Sequence, residues 1–294
     1  MKTSSKPLLG VLLVLFAGSM LATHDGFSKY LTQSYPIIMV VWLRYLIQTL
    51  VMALLFAPKM GWTLLKTRRP WLQLSRSLSL LAVSLLFISG LRYIPLGEAT
   101  AVIFLAPLIV TVLSAILLRE PVSKGQWTAV ILGFLGVLFI VRPGGELFTP
   151  AILLPFSAAF CFALYQLITR KLASTDHALT SNFLSGLFGS VVLLLILPGQ
   201  FTTDIADIDL VFMLILGVLA MTAHILITIA LQYATAATLA PFTYGQIVFA
   251  GLVGYVAFAH VPDIWAIVGV VIISLSGLTV AYLQHQQQLK DALD

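Results

Sequence analysis

Asp25 and Arg44 are the two ionisable residues that stand well inside long apolar runs, Leu8 to Tyr30 and Pro36 to Ala57. An ionised side chain at the centre of a membrane span costs about 2.5–3.5 kcal/mol on insertion scales, so it faces a cavity or a partner rather than lipid. At 1.5 Å per residue, Asp25 lies roughly 9 Å and Arg44 roughly 12 Å below the same end of their runs, which a short turn joins. Three uses are open to them. They can form an ion pair that ties two helices together, or contact a substrate in the outer half of a cavity. Asp25 can also pair locally with Lys29 at i, i+4 spacing. The expectation is that Asp25 and Arg44 come within direct or water-bridged reach and face the cavity. His24 points about 100° away from its neighbour Asp25 on a helix, and histidine titrates near neutral pH. It is a packing residue or a candidate for proton coupling. Glu98 and Arg92 lie at a junction between two runs and read as solvated caps. Glu98, in the first turn of its helix, also suits the helix dipole and joins His24 and Asp25 as a coupling candidate.

Polar and aromatic residues recur inside the later runs. Tyr165 and Gln166 lie in the run Pro150 to Thr169, and His224 lies roughly 13 Å from one end of Leu210 to Tyr233. Tyr244 and Gln246, with Phe242 and Thr243, follow Pro241 near the middle of Ala236 to Phe258, and a proline there loosens a backbone hydrogen bond. Trp42 and Tyr45 flank Arg44, where aromatic side chains also serve as interface anchors. Packing competes with contact for each of these alone. As a group, Asp25, Trp42, Arg44, Tyr45, Tyr165, Gln166, His224, Tyr244 and Gln246 are the expected substrate-binding set.

Other chemistry lacks its residues. There is no Walker loop, so ATP does not drive the protein directly, and no HExxH. No Gly-x-Ser-x-Gly announces a hydrolase. Cys161 stands alone in an apolar run and excludes an intramolecular disulfide. No catalytic residue, metal or cofactor is expected, and an intramembrane enzyme ranks last among the readings.

The elements that position these residues follow from composition. The chain has 294 residues, of which 60% are hydrophobic and 9% charged, against roughly 25% charged in a soluble domain. The mean hydropathy is +1.05, so lipid is the solvent. A span takes about 20 apolar residues, and ten fit here: Leu8–Tyr30, Pro36–Ala57, Trp71–Leu91, Leu96–Leu118, Lys124–Val141, Pro150–Thr169, Ala178–Leu197, Leu210–Tyr233, Ala236–Phe258 and Asp263–Leu283. The continuous runs lack the alternation of a β-barrel. The first run is read as a retained span rather than a signal peptide, since hydrophobic segments follow it directly and Asp25 stands where cleavage would fall.

Placing both termini in the cytoplasm collects Lys2, Lys6, Lys59, Lys66, Arg68, Arg69, Arg119, Lys124, Arg170, Lys171 and Lys290 there, with Arg76 near that side. Only Lys29, Arg92 and Arg142 fall outside, with Asp204, Asp207 and Asp209. The formal charge of +5 therefore reflects loops at one membrane face and not a nucleic-acid partner. The two halves match at an offset of about 140 residues: Ser28-Lys29-Tyr30-Leu31 meets Thr169-Arg170-Lys171-Leu172, Leu91-x-Tyr93 meets Leu231-x-Tyr233, Pro121 meets Pro262 and Gly136 meets Gly277. An odd number of spans per half inverts the second half. Residues 1–145 and 146–294 are the expected repeats. The small residues Gly133 and Gly136, and their mates Ser274 and Gly277, are expected to let helices approach closely, and they leave room for a homodimer.

These motifs resemble the drug/metabolite transporter superfamily, specifically its EamA-type members. The most specific stretch is Leu91-Arg92-Tyr93-Ile94-Pro95-Leu96-Gly97-Glu98-Ala99-Thr100-Ala101, followed by Leu105-Ala106-Pro107, Leu118-Arg119-Glu120-Pro121, Gly133-Phe134-Leu135-Gly136-Val137 and Val141-Arg142-Pro143-Gly144. Asp25-Gly26-Phe27-Ser28-Lys29-Tyr30-Leu31, with Arg44-Tyr45, is similar to the branch that includes bacterial S-adenosylmethionine carriers. The second half departs from the pattern, with Val261-Pro262 in place of Glu120-Pro121. The resemblance implies an all-α protein of ten helices in two inverted repeats around a central cavity. It implies a secondary transporter in the bacterial inner membrane, moving a small polar metabolite, amino-acid-like or nucleoside-like, by alternating access. The expected partners are that small molecule and the lipid bilayer. A membrane scaffold or sensor without transport is the alternative.

Overall fold

The computed structural model describes residues 7–118, 122–142, 144–145, 147–234 and 236–291. Lys2, Lys6, Arg119, Glu120, Pro121 and Pro143 lie outside the described residues, as does the side chain of Lys290. The first half contains α1 (Pro7–Ser34), α2 (Ile37–Met60), α3 (Pro70–Leu91), α4 (Leu96–Ile103), α5 (Ala106–Leu113) and α6 (Lys124–Val141). The second contains α7 (Leu153–Leu172), α8 (Ala178–Ile196), α9 (Asp207–Ala230), α10 (Ala236–Thr243), α11 (Gly245–Phe258) and α12 (Ile264–Asp291). Ten spans are long and apolar enough to cross a membrane, and no strand occurs among the described residues. The turns carrying Lys59, Lys66, Arg68, Arg69, Arg170 and Lys171 gather at one end of the bundle, here the basic face. The turns carrying Arg92, Arg142, Asp204 and Asp263 form the opposite face.

Helices outlast their apolar runs. α1 continues past Tyr30 to Ser34 because its hydroxyls turn inward on the helix: Ser28 donates to the His24 carbonyl at 2.9 Å and Thr32 to the Ser28 carbonyl at 2.8 Å. Asp25 therefore lies nine residues, or about 14 Å, from the end of its helix rather than 9 Å. α12 runs past Leu283 to Asp291 on glutamine-rich sequence, and glutamine is a good helix former.

Two spans are broken in the middle. Pro107 at the start of α5 lacks an N–H and its ring would meet the Ile103 carbonyl, so α4 stops at Ile103. In the ninth span Pro241 weakens α10, which stops at Thr243, and α11 restarts at Gly245. The breaks fall at equivalent places in the two halves and touch each other, with the Phe104 and Tyr244 rings 5.1 Å apart.

Helix pairings come in sets that exchange when the halves are swapped. α1 packs on α9 as α3 packs on α7, and α2 packs on α9 as α3 packs on α8. α2 pairs with α8, and α6 with α12, each with its own counterpart. Five spans per half make each counterpart run the opposite way, so the repeats are inverted. Small residues set the closest approach of α6 and α12: a Cβ on Gly136 would stand 2.9 Å from the Gly269 carbonyl oxygen. Gly277 does something else. It makes room for the Tyr244 hydroxyl, which would lie 1.5 Å from a Cβ there.

Candidate functional site

Arg44 projects from α2 into the half of the bundle nearer the opposite face and is 7% exposed. Its Nη1 donates to Ser84 Oγ on α3 at 2.7 Å, and its guanidinium lies 4.8 Å from the Tyr45 ring centre. The Tyr45 hydroxyl in turn meets Ser84 Oγ at 2.9 Å. Asp25 is buried on α1 and bonds to His24, its Oδ1 2.9 Å from Nδ1. The two side chains bend together despite leaving the helix about 100° apart.

The expected pairings of Asp25 do not form. Asp25 and Arg44 make no ion pair within 4.0 Å. The cause is α9, which packs on both α1 and α2, while α1 and α2 barely touch. Gly217 of α9 admits it, since a Cβ there would stand 2.9 Å from the Arg44 carbonyl oxygen and 2.6 Å from Ile47 Cβ. Nor does Lys29 pair with Asp25. Its Nζ caps the carbonyls of Leu91 and Ile94, the latter at 3.0 Å. The result is a set of buried polar atoms without partners: His24 Nε2, Trp42 Nε1, Arg44 Nε and Gln48 Oε1. Buried polar groups are nearly always hydrogen-bonded, so each of these atoms marks a place for a ligand or water.

Arg76 of α3 is the residue sequence reasoning missed. It was placed near the inner end of its span, yet it is only 2% exposed and lies among the largest fully buried side chains. All five of its N–H groups are used. Nε donates to Thr169 Oγ1 at 2.8 Å, Nη1 to the Ser181 carbonyl and Ser185 Oγ at 2.7 Å each, and Nη2 to the Tyr165 hydroxyl at 2.8 Å and Asn182 Oδ1 at 3.0 Å. The guanidinium also lies 4.6 Å from the Tyr165 ring centre. Every acceptor is neutral, and no carboxylate stands within 4.0 Å of Arg76 or Arg44 among the described residues. The available signal was the small polar residues Ser181, Asn182 and Ser185, whose i, i+1, i+4 spacing puts them on one side of a helix.

The remaining predicted residues divide between this polar interior and packing. His224 of α9 is partly buried and within electrostatic range of Arg44, Arg76 and His24. Gln166 follows Tyr165 and is partly buried. Tyr244 belongs to the apolar cluster around Leu105, Leu108 and Ile273, though its hydroxyl has no partner. Gln246 is partly buried, with its backbone against Gly18 of α1. Glu98 is not a solvated cap. It is 2% exposed, its Oε1 meets His260 Nε2 at 2.8 Å, and Lys29 lies within its electrostatic range. α11 packs over α4 and covers it. A groove of about 510 Å³ between α6 and α12, lined by Leu132, Leu135, Phe139 and Leu275, opens on the lipid side and holds none of these residues.

Two successive stretches, residues 8–142 and 149–282, match the EamA-like transporter family. The chain is 27% identical to an S-adenosylmethionine uptake transporter of Rickettsia felis over 90% of each chain. It is 29% identical to a riboflavin transporter of Vibrio cholerae over 95% of each, and 25% identical to the pseudopaline exporter CntI of Pseudomonas aeruginosa over 90% of this chain and 93% of the exporter. One crystal structure matches with a TM-score of 0.64 at 19% identity, covering 96% of this chain and 99% of its own, a likeness of fold alone.

Proposed function

The chain belongs to the EamA-like transporter family, so it is a transporter of the bacterial inner membrane rather than an enzyme, and on that premise we propose that it is a secondary carrier of a small metabolite bearing an α-amino-acid group, with S-adenosylmethionine as the first candidate. One observation carries the reading: Arg44 is buried, has no carboxylate within 4.0 Å among the described residues, and keeps Nε unpartnered, with His24 and its unpartnered Nε2 in electrostatic range. An open guanidinium edge suits a carboxylate, which guanidinium binds through paired N–H bonds, and His24, whose Nδ1–H donates to Asp25, keeps Nε2 as an acceptor for a substrate N–H. Asp25 supplies the opposite charge for an ammonium or sulfonium group. S-adenosylmethionine combines all of these with a nucleoside, whereas riboflavin has no carboxylate for Arg44.

In this reading both termini are cytoplasmic, the basic face is the inner one, and residues 1–145 and 146–294 are the repeats that rock against each other. Arg44 and Asp25 then meet substrate from the periplasmic half, and Tyr165 and Gln166 lie in the cytoplasmic half. The drive is a substrate gradient, exchange or an ion gradient.

Reconstitution tests it. Purified protein in liposomes loaded with unlabelled S-adenosylmethionine should take up the labelled compound in a saturable way. Binding should also raise thermal stability by mass action. Riboflavin counterflow without S-adenosylmethionine counterflow would replace the amino-acid reading, and no flux over both compounds and the common amino acids would reject transport of this class.

A further inference from the structure

We propose that Arg76, with Tyr165 and Asn182, is a second anion-binding station, which takes over the substrate carboxylate from Arg44 when the carrier opens to the basic face. The proposal rests on the reading of Arg44 as the first station.

The inverted repeat carries the argument. Residues 44 and 185, and 24 and 165, are each 141 apart, and at the offset of 140 that matches α3 to α9 Arg76 corresponds to Leu216, beside Gly217. In one half-bundle the Arg44 backbone lies against Gly217. In the other, Arg76 bonds to Ser185. These are the same helix crossing seen twice, α2 on α9 and α8 on α3. Each crossing includes one arginine, contributed by opposite members of the pair; the Arg76 guanidinium reaches across its crossing to Ser185, whereas that of Arg44 turns to Ser84 on α3. The neighbours correspond too: His24 lies within electrostatic range of Arg44, and its mate Tyr165 bonds Arg76. The depths also match. Arg44 is seven residues into α2 from the opposite face, and Arg76 six residues into α3 from the basic face, so each charge sits roughly 10 Å deep.

A simple helix tie would not need this chemistry. Five neutral acceptors satisfy the N–H groups of Arg76 and leave its full charge uncompensated, whereas neutral donors could bond the same acceptors without the cost of burying a charge. Nη1 is anchored in part by the Ser181 main chain, whereas Nη2 is held only by the side chains of Tyr165 and Asn182. Rotation of those two side chains frees the Nη2 edge for a carboxylate. His224 lies within electrostatic range of both arginines.

Sided transport of labelled S-adenosylmethionine in right-side-out and inverted membrane vesicles is the test. Arg76→Gln should raise KM from the basic face at least tenfold and leave KM from the opposite face within twofold, with Arg44→Gln showing the converse. Tyr165→Phe, which keeps the fold, should shift only the basic-face KM, and Arg76→Lys should recover part of the loss. An unchanged basic-face KM in Tyr165→Phe and Arg76→Lys, or equal shifts at both faces, would make Arg76 a structural tie and overturn the proposal while the first station stands. Absence of saturable flux in the unsubstituted protein would remove both.

Discussion

Arg44 and Arg76 are buried at similar depth in opposite halves, and neither has a carboxylate beside it, yet their surroundings differ. Arg76 has an acceptor for each N–H, drawn from α7 and α8. Arg44 has one hydroxyl on α3, a tyrosine face and an unpartnered Nε. A buried charge is tolerated when its donors are satisfied, and costs several kcal/mol when they are not. The Arg76 site is complete in this conformation. The Arg44 site is incomplete, and only a ligand or water completes it. The contrast teaches where the protein has put stability and where it has left free energy for binding.

The largest expected effect falls on the complete site. Arg76→Leu strands the hydroxyls of Tyr165, Thr169 and Ser185 and the amide of Asn182, so it should lower stability by about 3–4 kcal/mol. Thermal unfolding in detergent measures this, and a loss below about 1 kcal/mol would abolish the contrast. Next is Arg44→Gln. It should leave the protein folded, with a loss near 1 kcal/mol, and cut S-adenosylmethionine flux about 100-fold, which corresponds to about 2.7 kcal/mol of barrier. Equal stability losses in the two arginine variants would show that Arg44 is held as firmly as Arg76.

Gly217→Val sharpens the comparison from the packing side. Its side chain would collide with Ile47 and the Arg44 carbonyl, and overpacking of this kind costs about 2 kcal/mol. It should weaken substrate binding at Arg44 and leave the Arg76 surroundings intact, which is visible as an unchanged basic-face KM.

The smallest effect lies at the basic face. Gln73 donates to Asp176 at 2.9 Å and to Ser181 at 2.6 Å, linking the surface carboxylate to the Arg76 site. Burial pushes the Asp176 carboxyl up, but hydrogen bonds from Thr67, Gln73, the Arg68 amide and Thr175 outweigh it and hold it below the usual value. A depressed carboxyl contributes stability above its unfolded pKa and loses it as pH falls through the folded one. Asp176→Asn should therefore cost about 1 kcal/mol at neutral pH. The difference from the unsubstituted protein should shrink below about pH 4, the unfolded carboxyl range. A pH-independent difference would mean that shape rather than charge matters there.

Much of the fold was legible because its signals are local. Apolar runs bounded by Pro95, Pro198-Gly199 and Pro262 mark the spans, and the offset between halves marks the inversion. The break at Pro107 was not foreseen: Leu96–Leu118 reads as one continuous run, although the missing N–H and ring clash that divide it lie within a few residues. The site was legible only in part. Asp25 and Arg44 were conspicuous as charges in apolar runs, but their joint placement failed because chain neighbours need not be packing neighbours. Glu98 looked solvated because its position near a span end says nothing of α11 folding over it. Arg76 was hidden for the same reason: six residues from a span end can be surface or centre, depending on what α7 and α8 present.

The sequence by itself determined the solvent, the ten spans, the repeat and the short roster of polar residues that lipid cannot hold. Only the tertiary structure decided which of them meet. That decision rests on helix rotation and on glycines such as Gly217, which let α9 wedge between α1 and α2. Hydropathy records how apolar a helix is and carries no term for which helix lies beside it.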